Sequence, residues 1–254
     1  MHAHLERQNR KDEQYALLEI LVKDIRDDHP VMGLRKIHGM LIGIDIGRDE
    51  FERYFAERGY LVKRSKNYRR TTDSRGVTRF DNLIKDLSIH RIDQVWVSDI
   101  TYFELGSRFY YLTFILDLFS RRIVGHSISA SLDTSNTTIT ALDKALRLRK
   151  YSRKNTPEKL ILHSDGGGQY YSRDFIKILR EHGVQSSMAE SVYENPAAER
   201  VNGIIKNEYL IHRHMQSMKQ LTKETDRAVG LYNSSRPHKS INQLTPVQFE
   251  AGLT

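Results

Sequence analysis

Apolar residues recur at helical spacing near the start of the chain and at strand spacing further on, with a polar stretch between the two. From Tyr15 to Arg26, Leu18, Val22 and Ile25 fall on one helical face, and His29-Pro30 stops the run; the ten or so polar residues before it are expected to be disordered. A second helix is predicted from Gly33 to Leu41 on Leu34, Ile37 and Leu41. A third runs from Asp49 to Arg58 on Phe51, Tyr54 and Phe55, and Gly59 ends it. Three short helices with tight turns and a basic tail reaching Arg70 read as a small all-α helix-turn-helix domain over residues 1–70. Units of this kind also serve as plain scaffolding. Residues 71–93 carry no sustained hydrophobic period and are the expected linker.

The pattern then changes. Runs of β-branched and aromatic residues from Gln94 to Tyr102, Phe109 to Asp117 and Arg122 to Ile128 are separated by short turns, which predicts an antiparallel meander. An amphipathic helix follows from about Asp133 to Lys150, with Ile139, Leu142, Leu146 and Leu148 as its apolar positions. Next come a strand from Leu160 to His163, a helix from Phe175 to His182, a strand from Val184 to Met188 and a helix from Pro196 to Leu210. The order βββαβαβα describes an α/β domain, residues 94–254, with a mixed five-stranded sheet and helices on its faces. A helical extension closes it: one helix from Ser217 to Asn233, then a capped start at Thr245-Pro246.

Charge sharpens the first half of this picture. The formal net charge is +8, and between Arg53 and Arg91 eleven Lys and Arg stand against four Asp and Glu. Such a segment suits a polyanion, because each cation that neutralises a phosphate releases counterions; a solvated basic face has the same composition. Cysteine is absent, which excludes disulfides, thiolate catalysis and Cys-containing zinc sites. The apolar runs are too short to span a bilayer, so no membrane association and a cytoplasmic location are expected.

The chemistry concentrates where the fourth strand ends, at His163-Ser164-Asp165-Gly166-Gly167-Gly168. A short apolar run delivers one carboxylate to a sterically open strand end. Asp99 sits within the first strand, and if the first and fourth strands are neighbours, about 4.8 Å apart, the two carboxylates can meet. Glu199, in the first turn of a later helix, can supply a third. Three converging carboxylates are hard oxygen donors suited to magnesium or manganese, and a pair of ions serves in-line phosphoryl displacement. Asp117, Glu190, Glu194 and Glu208 compete for the same roles, and Glu199 would stabilise any helix start through the dipole.

Five ordered stretches carry a family resemblance: Trp96-Val-Ser-Asp-Ile-Thr-Tyr, Asp117-Leu-Phe-Ser-Arg-Arg, His163-Ser-Asp-Gly-Gly-Gly-Gln-Tyr, Asn195-Pro-Ala-Ala-Glu-Arg with Lys206-Asn-Glu208, and Tyr232-Asn-Ser-Ser-Arg-Pro-His. Together they resemble bacterial insertion-sequence transposases of the group made from a second, frameshifted reading frame, which are related to retroviral integrases. The resemblance implies an RNase H-like fold and a DDE triad at Asp99, Asp165 and Glu199. It also implies cleavage at mobile-element ends with Mg2+ or Mn2+, two ions, then strand transfer of the 3′-hydroxyl into target DNA. Lys206, two helical turns after Glu199, would grip a phosphate, with Arg200 and Asn202 beside it. Arg53, Lys63, Arg64, Lys66, Arg69 and Arg70 would hold duplex DNA from the helical domain. Implied partners are double-stranded DNA, further copies of the chain in a synaptic complex, and an upstream-frame segment; the implied location is bacterial and nucleoid-associated. Thirty-three residues separate Asp165 from Glu199, slightly fewer than usual in the family, so the loop from Ala189 to Glu194 is expected to be short. Two other functions use the same residues: a metal-dependent nuclease on this fold, and a DNA-binding regulator or inactive remnant.

Overall fold

Three helices account for the periodic residues at the start of the chain: α1 (His2–Asp28), α2 (Leu34–Met40) and α3 (Arg48–Glu57). The computed structural model describes residues 2–62, 80–151 and 159–253, without the side chains of residues 2–10 and Val192. The chain divides into two compact units, Met1–Asn67 and Tyr68–Thr254. In the first, Leu18, Val22, Leu34, Ile37, Phe51 and Phe55 form the core, with Ile25, Leu41 and Tyr54 at its margin. Tyr15 joins them, its ring stacked at 3.8 Å on Tyr54. The expected disordered start is corrected: α1 begins at His2. Residues 2–14 contain neither glycine nor proline and are rich in Ala, Leu, Glu, Arg, Gln and Lys, so a helix nucleated on the packed turns propagates through them.

The second unit is the expected mixed sheet. Its strands are β1 (Val95–Leu105), β2 (Arg108–Asp117), β3 (Ile123–Ser129), β4 (Ile161–Ser164) and β5 (Gln185–Met188), in spatial order β3-β2-β1-β4-β5. The first three form the antiparallel meander, and β4 and β5 run parallel to β1. Because side chains alternate across each strand, the sheet has two apolar faces. One carries Trp96, Ile115 and Leu162 and is covered by α4 (Thr140–Arg149) and α5 (Arg173–His182). The other carries Val95, Val97, Leu112 and Phe114 and is covered by α6 (Pro196–Ile204) and α7 (Met218–Ser234).

The expected apolar face of α4 needs one correction. Leu148 is exposed, and Ala141 and Ala145 take the buried positions. Opposite them on β3 is Gly125, where an added Cβ would lie 2.2 Å from the Ala141 carbonyl oxygen and 2.9 Å from Ala145 Cβ. Small residues on both sides let the helix backbone rest directly on the strand.

Residues 80–93, expected as part of the linker, pack on the second unit, and 81–83 lie against the sheet edge at β5. Met188 N–H donates to Asp81 O, Leu83 N–H donates to Ser187 Oγ at 2.9 Å, and Ile84 and Ile89 pack on the core. At the far end α8 (Pro246–Ala251) starts in a capping box built on Thr245 and Gln248. It is tied down through Glu250, which binds Arg122 at 2.5 Å and also Arg149.

Candidate active site

The β1/β4 ladder pairs Val95 with Ile161 through Ser98 with Ser164, and there the pairing ends. The next residue on each strand is an aspartate, Asp99 on β1 and Asp165 just past β4. Asp99 keeps its β2 partner, Phe114, and so its side chain lies on the face covered by α6. The strand splits open at the two acids.

Asp165 is held from its own loop. Gly167 N–H donates to its Oδ1 at 3.1 Å and the Tyr171 hydroxyl donates to its backbone carbonyl at 2.8 Å. A Cβ on Gly167 would come within 3.1 Å of that same carboxylate oxygen, so the glycine leaves Asp165 room to turn. Beneath both acids Tyr170 is buried, its hydroxyl 2.8 Å from Ser98 Oγ.

The third carboxylate arrives on α6, whose first turn carries Glu199 with its side chain exposed. Two asparagines, one just before α6 and one within it, reach across to β1. Asn195 Nδ2 donates to the Ser98 carbonyl at 2.9 Å, and Asn202 Nδ2 donates to Asp99 Oδ2 at 2.7 Å. Beyond α6 the chain widens into a π-type turn, Ile205–Tyr209, where an unbroken helix to Leu210 was expected. Both charged side chains of that turn have partners. Lys206 Nζ donates to Thr101 Oγ1 at 2.8 Å and Tyr102 O at 3.3 Å, two and three residues along β1 from Asp99. Glu208 takes two hydrogen bonds from Arg236 at 2.9 and 3.0 Å.

The electrostatics follow from this crowding. Burial, then the charges of Asp165 and Glu199, push the Asp99 carboxyl up to about 7, against the Ile100 N–H and the Asn202 amide, which favour the anion. Asp165 is also raised by burial, opposed by Gly167 N–H. Burial lowers Lys206, with Asp99 pulling the other way. Among the described residues no group of three or more His, Asp or Glu side chains is drawn together closely enough to ligate an ion as it stands. The donor set nevertheless fits a hard divalent cation: the carboxyls are oxygen donors, and the unfavourable negative charge at Asp99 is what such an ion neutralises.

Of the competing acids, Asp117 is fully buried and takes N–H donors from Asp93, Phe119 and Ser120 at 2.7, 3.0 and 2.8 Å, as a turn-fixing residue does. It pairs with Trp96, three positions before Asp99. Glu194 closes the loop before α6, accepting from Glu190 N–H at 2.7 Å and from Asn82 at 2.8 Å. Arg200 is exposed next to Glu199, while Asn202 is buried with its amide on Asp99. Arg53 is exposed on α3; Lys63, Arg64, Lys66, Arg69 and Arg70 lie outside the described residues. The sequence reading gave no separate role to Asn195 or to the buried Tyr170. The Asn-Pro pair before Glu199 and the Gln-Tyr-Tyr after the glycines were the available signals.

The sheet order, the crossing helices and the paired acids at a strand end define an RNase H-like core of the integrase type. Residues 89–192 match the family model of the integrase core domain, and residues 183–246 match a second integrase core domain model. A simian T-cell lymphotropic virus intasome, solved with the PP2A regulatory subunit B56 gamma, superposes with a TM-score of 0.50 at 20% identity, covering 62% of this chain and 54% of that one. The HTLV-2 integrase catalytic core domain, solved in complex with magnesium, gives 0.49 at 21% identity over 62% of this chain and 95% of that one.

Sequence relatives narrow the class. The transposase for insertion sequence element IS629 of Shigella sonnei is 31% identical over 229 residues, spanning 88% of this chain and 75% of that protein. The transposase for IS904 of Lactococcus lactis is 30% identical over 164 residues, 62% of this chain and 61% of that protein. The chain belongs to the insertion-sequence transposases of the DDE type, polynucleotidyl transferases of DNA transposition.

Proposed function

We propose that Asp99, Asp165 and Glu199 are the catalytic carboxylates of this transposase, and that they hold two magnesium or manganese ions while element ends are cut and the 3′-hydroxyl is joined to target DNA. One observation carries the reading: β1 and β4 part at two adjacent aspartates, and the half-buried Asp99 feels the charges of both Asp165 and Glu199. When bound, the ions supply activation of the attacking oxygen and stabilisation of the leaving oxygen.

The chain's own residues set the geometry. Asn202 orients Asp99 through Oδ2, and Gly167 N–H orients Asp165 through Oδ1. Lys206, held beside β1 by Thr101, presents an ammonium to a backbone phosphate next to the reacting one, and Arg200 offers a second cation from the α6 surface. The helical unit, with Arg53 and the basic segment Lys63, Arg64, Lys66, Arg69 and Arg70, binds duplex DNA. Copies of the chain pair the two ends, and an upstream-frame segment joins end recognition.

Crystals of the protein with an element-end duplex, soaked in Mn2+, test the assignment. Anomalous density at about 2.0–2.2 Å from Asp99 and Asp165 carboxylate oxygens is expected. Density elsewhere, with these carboxylates unligated, would contradict it.

A further inference from the structure

Asn195 stands immediately before α6, at the position where a helix calls for a cap, and asparagine is among the best cap residues because its oxygen accepts an orphan N–H of the first turn. Here it makes no side-chain cap. Its amide crosses to β1 and donates to the Ser98 carbonyl at 2.9 Å, and its Oδ1 is buried without a partner in a residue only 5% exposed. The helix start has given up its cap, and a buried oxygen goes unsatisfied, for the sake of one cross-element bond.

That bond lands on the residue preceding Asp99, at the last rung of the β1/β4 ladder, where Ser98 lies beside Ser164. A second tie, from Asn202 to Asp99 Oδ2, lies within α6. Glu199 falls between the two, about one helical turn from each. The two amides therefore fix both the height and the rotation of α6 against β1.

We infer that Asn195 is a positioning residue whose amide sets Glu199 in register with Asp99 and Asp165. This rests on the triad proposed above. It does not place Asn195 in contact with DNA or metal; the residue acts through the helix.

Asn195→Ser and Asn195→Thr separate this role from capping, since both residues cap helices well without adding charge and both are too short to bring a donor to Ser98. The two variants and the wild type are compared for thermal unfolding, Mn2+ binding by electron paramagnetic resonance, duplex affinity, and Mn2+-dependent nicking of duplexes carrying the DNA that flanks the gene in its element. Both variants should unfold within roughly 3 °C of wild type and bind duplex equally well. Both should nick roughly 100-fold more slowly, as a small misplacement of a catalytic group does, and bind Mn2+ about tenfold more weakly. Wild-type nicking and Mn2+ binding in both variants would overturn the inference and leave the triad standing. A loss of activity that follows an equal loss of folded protein would also overturn it, assigning Asn195 to stability. A wild-type protein that neither binds Mn2+ nor nicks would sink the triad itself, and this inference with it.

Discussion

Asn202 Nδ2 lies 2.7 Å from Asp99 Oδ2, so one oxygen of the Asp99 carboxylate is already spoken for by α6. Residues that orient a metal-binding carboxylate typically contribute 10–100-fold to metal affinity or activity. Asn202→Ala should therefore lower nicking about 30-fold with little change in duplex affinity. Gel-shift and nicking assays on the same preparation check it; a fall in duplex affinity of the same size would show Asn202 to be a DNA contact instead.

Lys206 is expected to act on the phosphate backbone. Its ammonium rests on Thr101 and Tyr102 O beside the site, 5.2 Å from the Tyr102 ring centroid. Lys206→Gln should weaken binding to all duplex sequences alike and reduce the slope of log affinity against log salt by about 0.9. A salt titration of duplex binding measures this, and an unchanged slope would remove Lys206 from the DNA interface.

Gly125 has no room for a side chain. With the Ala141 carbonyl 2.2 Å from an added Cβ, Gly125→Ala must push α4 off β3. Overpacking of this kind costs about 3 kcal/mol, to be read from urea unfolding. Stability within about 0.5 kcal/mol of wild type would mean that α4 is free to shift.

Glu250 gives the second unit a defined acid sensitivity. Burial alone would raise its carboxyl, but hydrogen bonds from Arg149, Ser120 and Arg122 outweigh that and hold it at about 2. Because the folded value lies below the unfolded one, the stabilisation is complete above the ordinary glutamate range and is lost as pH falls from about 4.5 towards 2. Glu250→Gln should cost about 3 kcal/mol at pH 7. The gap to wild type should close on acidification; a gap that stays constant down to pH of about 2.5 would contradict the ion-pair origin.

The meander was legible because β1, β2 and β3 are β-branched and aromatic runs, and β1 and β4 are neighbours as the closeness of Asp99 to Asp165 requires. What escaped was mostly set by contacts that no period records. Leu148 counts as apolar by residue type although it falls on the side of α4 away from Ile139, Leu142 and Leu146, and it is the glycine on β3 that lets Ala141 and Ala145 pack inward. Ile84 and Ile89 sit with the exposed Leu83 and Leu87 in a short mixed stretch of neither helical nor strand period, so which of the four pack on the core could not be read from spacing. Asn195 is a residue type that ordinarily caps the helix it precedes, whereas its partner is 97 residues away. Asp117 competed with the proposed triad until its four hydrogen bonds placed it in a turn.

The most direct measurement is nicking and strand transfer with Mg2+ on labelled duplexes carrying the element ends, comparing wild type with Asp99→Asn, Asp165→Asn and Glu199→Gln. Each substitution keeps the side chain's size and removes its charge. Wild-type protein should give 3′-end nicks and joined products, and each variant should lose at least about 1,000-fold in rate while still binding duplex. Activity within about tenfold of wild type in any one of the three would contradict the triad.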